Sequence, residues 1–210
     1  MTTRVTIIGA GRVGRALGTN MIGHGIGVRY LVRRPDEASV PEGAGVGHLE
    51  DSVDEGEAVL LALPFGVLPE AVPTLNLPPG CVVIDATNPF GMPLPDGALS
   101  GASLVSRLVG EDAKVAKAFN VLGAEHMAAP ELPDGSRPLL PVAADDPEVR
   151  DQVVALAETL GFDAVDVGGL EAAAVMEEAA RYWGLVAIAG NRGRGTVLVA
   201  KSRDLPEGAA

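Results

Sequence analysis

Val5-Thr6-Ile7-Ile8-Gly9-Ala10-Gly11-Arg12-Val13-Gly14-Arg15-Ala16-Leu17-Gly18 runs from a short apolar strand through spaced glycines into a helical pattern. Val5 to Ile8 is rich in β-branched residues, and Val13, Ala16, Leu17 and Met21 recur at helical spacing. Gly9 is expected to make the tight turn off the strand, Gly11 to let the backbone approach a pyrophosphate, and Gly14 to let the helix lie close to the sheet. Ala10, Arg12 and Val13 complete the turn, and the free N–H groups of the helix end face the anion. A strand before the glycines and a helix after them make this a dinucleotide-binding turn.

The chain around it has 210 residues, enough for one domain with a sizeable core. Hydrophobic residues make up 47% and aromatic ones only 3%, so that core must be built from Ala, Val and Leu. The net charge of -12 argues against general nucleic-acid binding, which needs a basic face. Cys81 is the single cysteine; it lies in an apolar run and reads as a small buried hydrophobe. Met1-Thr2-Thr3-Arg4 leads straight into the first strand, leaving no room for a signal peptide, and no apolar run reaches membrane-spanning length. A cytoplasmic protein with no membrane contact is expected. No residue is read as a metal ligand.

Beyond the first helix, Val28 to Val32 reads as a second strand ending in Arg33-Arg34-Pro35. In NAD-specific versions of this unit an acid at that place accepts the ribose hydroxyls, whereas an arginine accommodates a 2′-phosphate. Arg33 and Arg34 therefore favour NADP. Glu42 to Glu57 is expected to hold a short strand and a helix. Ala58 to Pro64 is a near-continuous apolar run, as in a central parallel strand, with Leu63, Pro64 and Phe65 beside the cofactor. Phe65 either packs on the ligand or closes the core. Val67 to Leu75 reads as a short helix and Cys81 to Ala86 as a strand, which places Asp85, Ala86, Thr87 and Asn88 where such sheets bind ligands. Asp85 alternatively caps a turn.

The proline- and glycine-rich stretch from Pro89 to Gly101 is a loop with the composition of a lid. Ser103 to Val109 reads as a helix, Lys114 to Asn120 as a strand, and Leu139 to Ala144 as a further strand in which Pro141 marks an edge or an irregularity. Asp146 and Pro147 are placed to start a helix that runs from Glu148 to Leu160. Ala164 to Val167 is a last strand before a long helix from Leu170 to Ala189, with Met176, Ala180, Trp183 and Ala187 on one buried face. The order of elements predicts a Rossmann-like doubly wound, mostly parallel α/β sheet with a C-terminal helical appendage, residues 1–203, followed by a tail, 204–210.

Taken together, Val5-Thr6-Ile7-Ile8-Gly9, Asp85-Ala86-Thr87-Asn88-Pro89 and Lys117-Ala118-Phe119-Asn120 resemble the family of NADPH-dependent coenzyme F420 reductases and related dinucleotide-binding oxidoreductases. The resemblance implies NADP(H) lying across the sheet, its 2′-phosphate held by Arg33 and Arg34, coenzyme F420 as the second substrate, and a homodimer. Val32 departs from the pattern, because family members often carry a serine or threonine there. Hydride transfer between two stacked cofactors needs positioning more than acid catalysis. Within that frame His126 is the candidate proton donor, while Asn88, Lys117 and Asn120 are candidate polar contacts to the second substrate. Alternatives are an NADPH- or F420H2-dependent reductase of a small metabolite (imine, ketone or alkene) and a non-catalytic NADP(H) sensor.

Overall fold

A computed structural model describes residues 4–95 and 97–202. The expected tail at 204–210 and the end of the domain at 203 lie outside the described residues. The pleat sends successive side chains of each strand to opposite faces of one sheet. Val5, Ile7, Tyr30, Leu60 and Ile84 enter one core, and Ile8, Leu31, Val59, Leu61 and Val83 enter the other. Both faces are covered, as the unbroken apolar runs require.

Among the described residues eight strands make the sheet: β1 (Arg4–Ile8), β2 (Gly27–Val32), β3 (Gly45–His48), β4 (Ala58–Leu61), β5 (Val82–Asp85), β6 (Lys114–Lys117), β7 (Leu139–Ala144) and β8 (Asp163–Asp166). Their spatial order is β3-β2-β1-β4-β5-β6-β7-β8. β1 through β6 are parallel, β7 runs antiparallel to β6, and β8 is parallel to β7. This is the Rossmann-like doubly wound sheet that the pattern predicts.

Helices α1 (Arg12–Gly23), α2 (Leu68–Ala71), α3 (Gly101–Val109), α4 (Pro147–Thr159) and α5 (Ala173–Gly184) complete the layers. Asp146 caps α4 as expected, accepting the Glu148 N–H at 2.8 Å. No helix among the described residues is long and apolar enough to cross a membrane.

Several boundaries differ from expectation for local reasons. The segment Val67 to Leu75 holds only one α-turn, flanked by 3₁₀ turns at Phe65–Val67 and Val72–Thr74, because Pro69 and Pro73 remove backbone donors. The stretch from Glu42 to Glu57 contains β3 but no helix. The helix expected over Leu170 to Ala189 is divided into a 3₁₀ turn (Leu170–Ala172), α5 and a π-turn (Leu185–Ala189), yet Met176, Ala180, Trp183 and Ala187 are all buried as predicted. Pro141 is not on an edge strand. β7 pairs with β6 only through Ala143 and Ala144, so Pro141 sits beyond the reach of that ladder and no donor is missed. Cys81 is buried, and that burial, with the Glu57 charge second, pushes its thiol up to about 11.

Candidate functional site

The site is built from the glycine turn at the end of β1. Gly9 has φ +102°, and a Cβ there would stand 2.8 Å from the Ala62 carbonyl oxygen and from the Leu63 side chain. Only glycine fits this corner. At Gly14 a Cβ would overlap the Gly9 carbonyl oxygen, so its absence brings α1 onto the strand. Gly11 is different: a Cβ would meet nothing closer than the Ala62 oxygen at 3.9 Å, and the residue is exposed. The space that Gly11 leaves is open, as close approach of a ligand demands. Gly11 is also the N-cap of α1 and no side chain caps that helix, which leaves its first N–H groups for an anion.

Tyr30 holds the turn from below. Its hydroxyl donates to the Gly14 carbonyl at 2.9 Å, in the space that Gly18 leaves. Burial, partly opposed by the charge of Arg15, pushes the phenol up to about 12.

Beside the turn lies a cleft of about 310 Å³, lined in part by Gly9, Val32, Arg33, Leu63 and Pro64. Four predicted residues, Gly9, Arg33, Leu63 and Pro64, thus come together. Arg34 does not line it; its guanidinium pairs with Glu37 at 3.1 Å on the surface. Phe65 resolves toward the core: it is buried and lies where a Cβ on Gly101 would be 3.0 Å from its ring. Among the cleft residues that sequence reasoning missed are two carboxylates, Glu50 and Glu70. They lie on irregular or short helical segments, where period and motif give no signal.

Farther along the same edge, β5 and β6 end in a buried polar cluster. Lys117 and Asp85 are both 0% exposed, and the Lys117 ammonium reaches Asp85 Oδ2 at 2.8 Å, Glu177 Oε1 at 2.9 Å and the Thr87 carbonyl at 2.6 Å. All three of its donors are used. Lys117 is therefore not a contact free for a second substrate. Asp85 Oδ1 accepts the Thr87 N–H at 2.9 Å, the turn-capping role foreseen as its alternative. Glu177 accepts the N–H groups of Gly101 and Ala102 at the start of α3. Four elements are tied through one ammonium.

Against this network stand two buried atoms without partners among the described residues, Thr87 Oγ1 and Asn120 Oδ1. Asn120 Nδ2 donates to Asn88 Oδ1 at 2.9 Å and to the Met176 carbonyl at 3.1 Å, while Asn88 Nδ2 donates to the Asn120 carbonyl at 2.9 Å. The two acceptors fix which way the Asn120 amide points. Flipping it would forfeit both bonds, so the orphan is an acceptor awaiting a donor. Asn120 owes its placement to Phe119, which takes φ +58° while buried against Phe162, ring centroids 5.7 Å apart. A bulky residue in the left-handed region costs energy and commonly marks a functional corner. It also explains why β6 stops at Lys117 rather than at Asn120.

Ala86 and Asn88 lie beside this cluster; Ala86 donates its N–H to the Leu61 carbonyl at 3.2 Å. The loop that follows exposes Phe90, Met92 and Leu99, with Phe90 in a left-handed conformation at φ +38°. Phe90 and Met92 were not singled out from the sequence, although their position directly after Asn88-Pro89 was a usable signal. His126 is committed elsewhere: its Nε2 lies 2.8 Å from the Gly195 carbonyl, an anchor for the C-terminal segment. The expected proton donor is thus engaged with backbone.

The fold is of the Rossmann-like class, and comparison with known proteins adds its chemistry, that of NADP-dependent oxidoreductases. The chain belongs to the family described as NADP oxidoreductase, coenzyme F420-dependent, whose pattern matches residues 4–89. A hypothetical protein of Sinorhizobium meliloti is 31% identical, with a TM-score of 0.70 over 82% of this chain and 87% of that one. A structure from Arthrobacter sp. FB24, described as a candidate F420-dependent NADP-reductase, is 21% identical with a TM-score of 0.75 over 90% of this chain and 95% of that one. The rat (Rattus norvegicus) metalloreductase STEAP3 is 28% identical over 176 residues, 83% of this chain. The chain spans only 36% of that protein's length.

Proposed function

We propose that this chain binds NADP(H) along the carboxyl edge of β1, β4, β5 and β6 and serves hydride transfer between the nicotinamide and coenzyme F420. The observation that carries the reading is the fixed Asn120 amide, whose buried Oδ1 has no partner. A carboxamide N–H on a nicotinamide is the kind of donor that it lacks. The glycine turn supports the same ligand at its other end, with Gly11 leaving room for a pyrophosphate and the uncapped start of α1 facing it. Arg33 in the cleft supplies a cation for a 2′-phosphate.

The chemistry supplied by the bound pair is hydride transfer, which requires two rings held together away from water. Thr87 and Asn120 orient one ring, and Lys117 with Asp85 holds the Thr87 backbone in place. Phe90 and Met92, exposed directly after Asn88-Pro89, offer apolar side chains for a flat second substrate. The family description and that of the Arthrobacter structure favour F420 as this substrate.

The test mixes purified protein with oxidised F420 and either NADPH or NADH and follows loss of the deazaflavin absorbance. Turnover with NADPH supports the proposal. NADPH binding without F420 turnover points instead to another acceptor, a reading favoured by the metalloreductase relative. The chain is further proposed to work in the cytoplasm as a homodimer, through the exposed Val175, Tyr182, Leu185 and Ile188 of α5 and the π-turn. Sedimentation equilibrium at micromolar concentration checks the dimer, and Tyr182→Glu should shift it toward monomer.

A further inference from the structure

Arg12 is the first residue of α1, at the mouth of the glycine turn, and its guanidinium pairs with Glu125 Oε1. Arg194, on the segment after the π-turn, donates its Nε to the same oxygen at 2.7 Å. Glu125 sits in the 3₁₀ turn Ala124–His126 that follows β6. Gly123 makes this meeting possible: a Cβ there would lie 2.7 Å from Glu125 Oε2, 3.0 Å from the Trp183 ring and 3.2 Å from the Arg194 carbonyl oxygen. Two arginines from distant parts of the chain therefore share one carboxylate beside a helix end reserved for an anion.

That placement is a liability unless it is managed. A carboxylate next to the positive end of a helix repels an arriving pyrophosphate and holds the nearest cation away from it. We infer that Arg12 is shared between Glu125 and the pyrophosphate of the dinucleotide, and that Arg194 is the positioning residue that permits the exchange, keeping Glu125 neutralised when Arg12 leaves. The inference rests on the dinucleotide reading above. Burial acts to raise the Glu125 carboxyl, but the Arg194 hydrogen bond, a backbone hydrogen bond and then the charges of Arg194 and Arg12 bring it below the usual range. Arg194 outranks Arg12 among these causes. Glu125 thus stays ionised and paired after Arg12 has turned to the ligand.

Arg194 can be removed without releasing its segment. His126 Nε2 lies 2.8 Å from the Gly195 carbonyl, Trp183 Nε1 donates to the Thr196 carbonyl at 2.7 Å, and the Leu139 N–H reaches the Leu198 carbonyl at 2.9 Å.

The experiment is a double-mutant cycle on NADPH and NADH binding, read by nicotinamide fluorescence at low and high salt. Arg194→Ala should weaken both dinucleotides alike by about fivefold, the upper range for an exposed ion pair, and less at high salt. Glu125→Gln should bind at least as tightly as the parent, and in that background Arg194→Ala should have no further effect. A structural role for Arg194 would not be rescued by Glu125→Gln. Equal losses from Arg194→Ala in both backgrounds, or no loss in the parent, overturns the inference. Gly11→Asp, which fills the pyrophosphate space with a like charge, serves as the control: undiminished NADPH affinity there removes the site itself, whereas its loss leaves the arginine cycle to judge the exchange alone.

Discussion

Arg33 and Arg34 are neighbours in sequence with different surroundings. Arg33 lines the cleft together with Gly9, Glu50 and Glu70, and Arg34 is turned to Glu37. Replacing Arg33 by Ala should weaken NADPH by about tenfold, roughly one charge-assisted hydrogen bond, and leave NADH nearly unchanged. Arg34→Ala should do little to either. Equal losses of both dinucleotides in Arg33→Ala, measured by titration, would show that it does not read the 2′-phosphate. Lys117 presents the opposite case, a charge with no exposure whose partners are internal. Lys117→Met leaves Asp85 and Glu177 buried together without a cation, which should cost about 3–5 kcal/mol in urea unfolding. A loss below about 1 kcal/mol would mean that water or a proton already serves there. Which of the two arginines lines the cleft, and where the Lys117 charge is spent, were not legible from the residues alone, because arginine and lysine look equally solvated in a sequence until their partners are known. Asn120 is a candidate contact in the sequence, yet its unpaired oxygen depends on Asn88 and the Met176 carbonyl, which arrive from 32 and 56 residues away.

The strand, turn and helix from Arg4 to Gly23 form the element that the sequence states most fully. Gly9 and Gly14 of its motif each prove to have a separate steric reason, whereas Gly11 borders open space. Gly14→Ala should push α1 off the sheet, costing about 1–3 kcal/mol of stability and at least about tenfold in NADPH affinity. Gly23→Ala, near the end of the same helix with nothing within 4 Å of the added carbon, is the control and should be neutral or slightly stabilising. Thermal melts and a titration on both variants check this; equal behaviour would dissolve the packing argument. Strands with continuous apolar runs were equally readable, since burial on two faces leaves no other composition. The breaks were less so. The left-handed Phe119 and the π-turn after α5 are set by tertiary contact, which local propensity does not encode.

At the scale of the molecule, the direction of β7 was the feature that alternation of strands and helices left undetermined, since its antiparallel pairing involves only Ala116 with Ala144 and Lys117 with Ala143. Stability of the whole should fall on the alkaline side. Tyr30 and Cys81 have ordinary values of 10.0 and 9.0 and are raised to about 12 and about 11. Folding favours their neutral forms, so the stabilisation is fully present below pH 9.0 and is lost as pH climbs to about 12. Tyr30→Phe should flatten the part of the melting curve series above pH 10.0, and an unchanged slope would count against burial as the cause. The parallel half of the sheet also sends two helices, α1 and α3, away from the same edge, each with its amino end toward it. Two such ends would offer a phosphate two berths. Glu177 and the Ser100–Ser103 capping box fill the one at α3 with the protein's own oxygens. The molecule thereby carries a permanent decoy in one socket, and a nucleotide arriving at that edge finds a single orientation in which its bridge of phosphates is welcome.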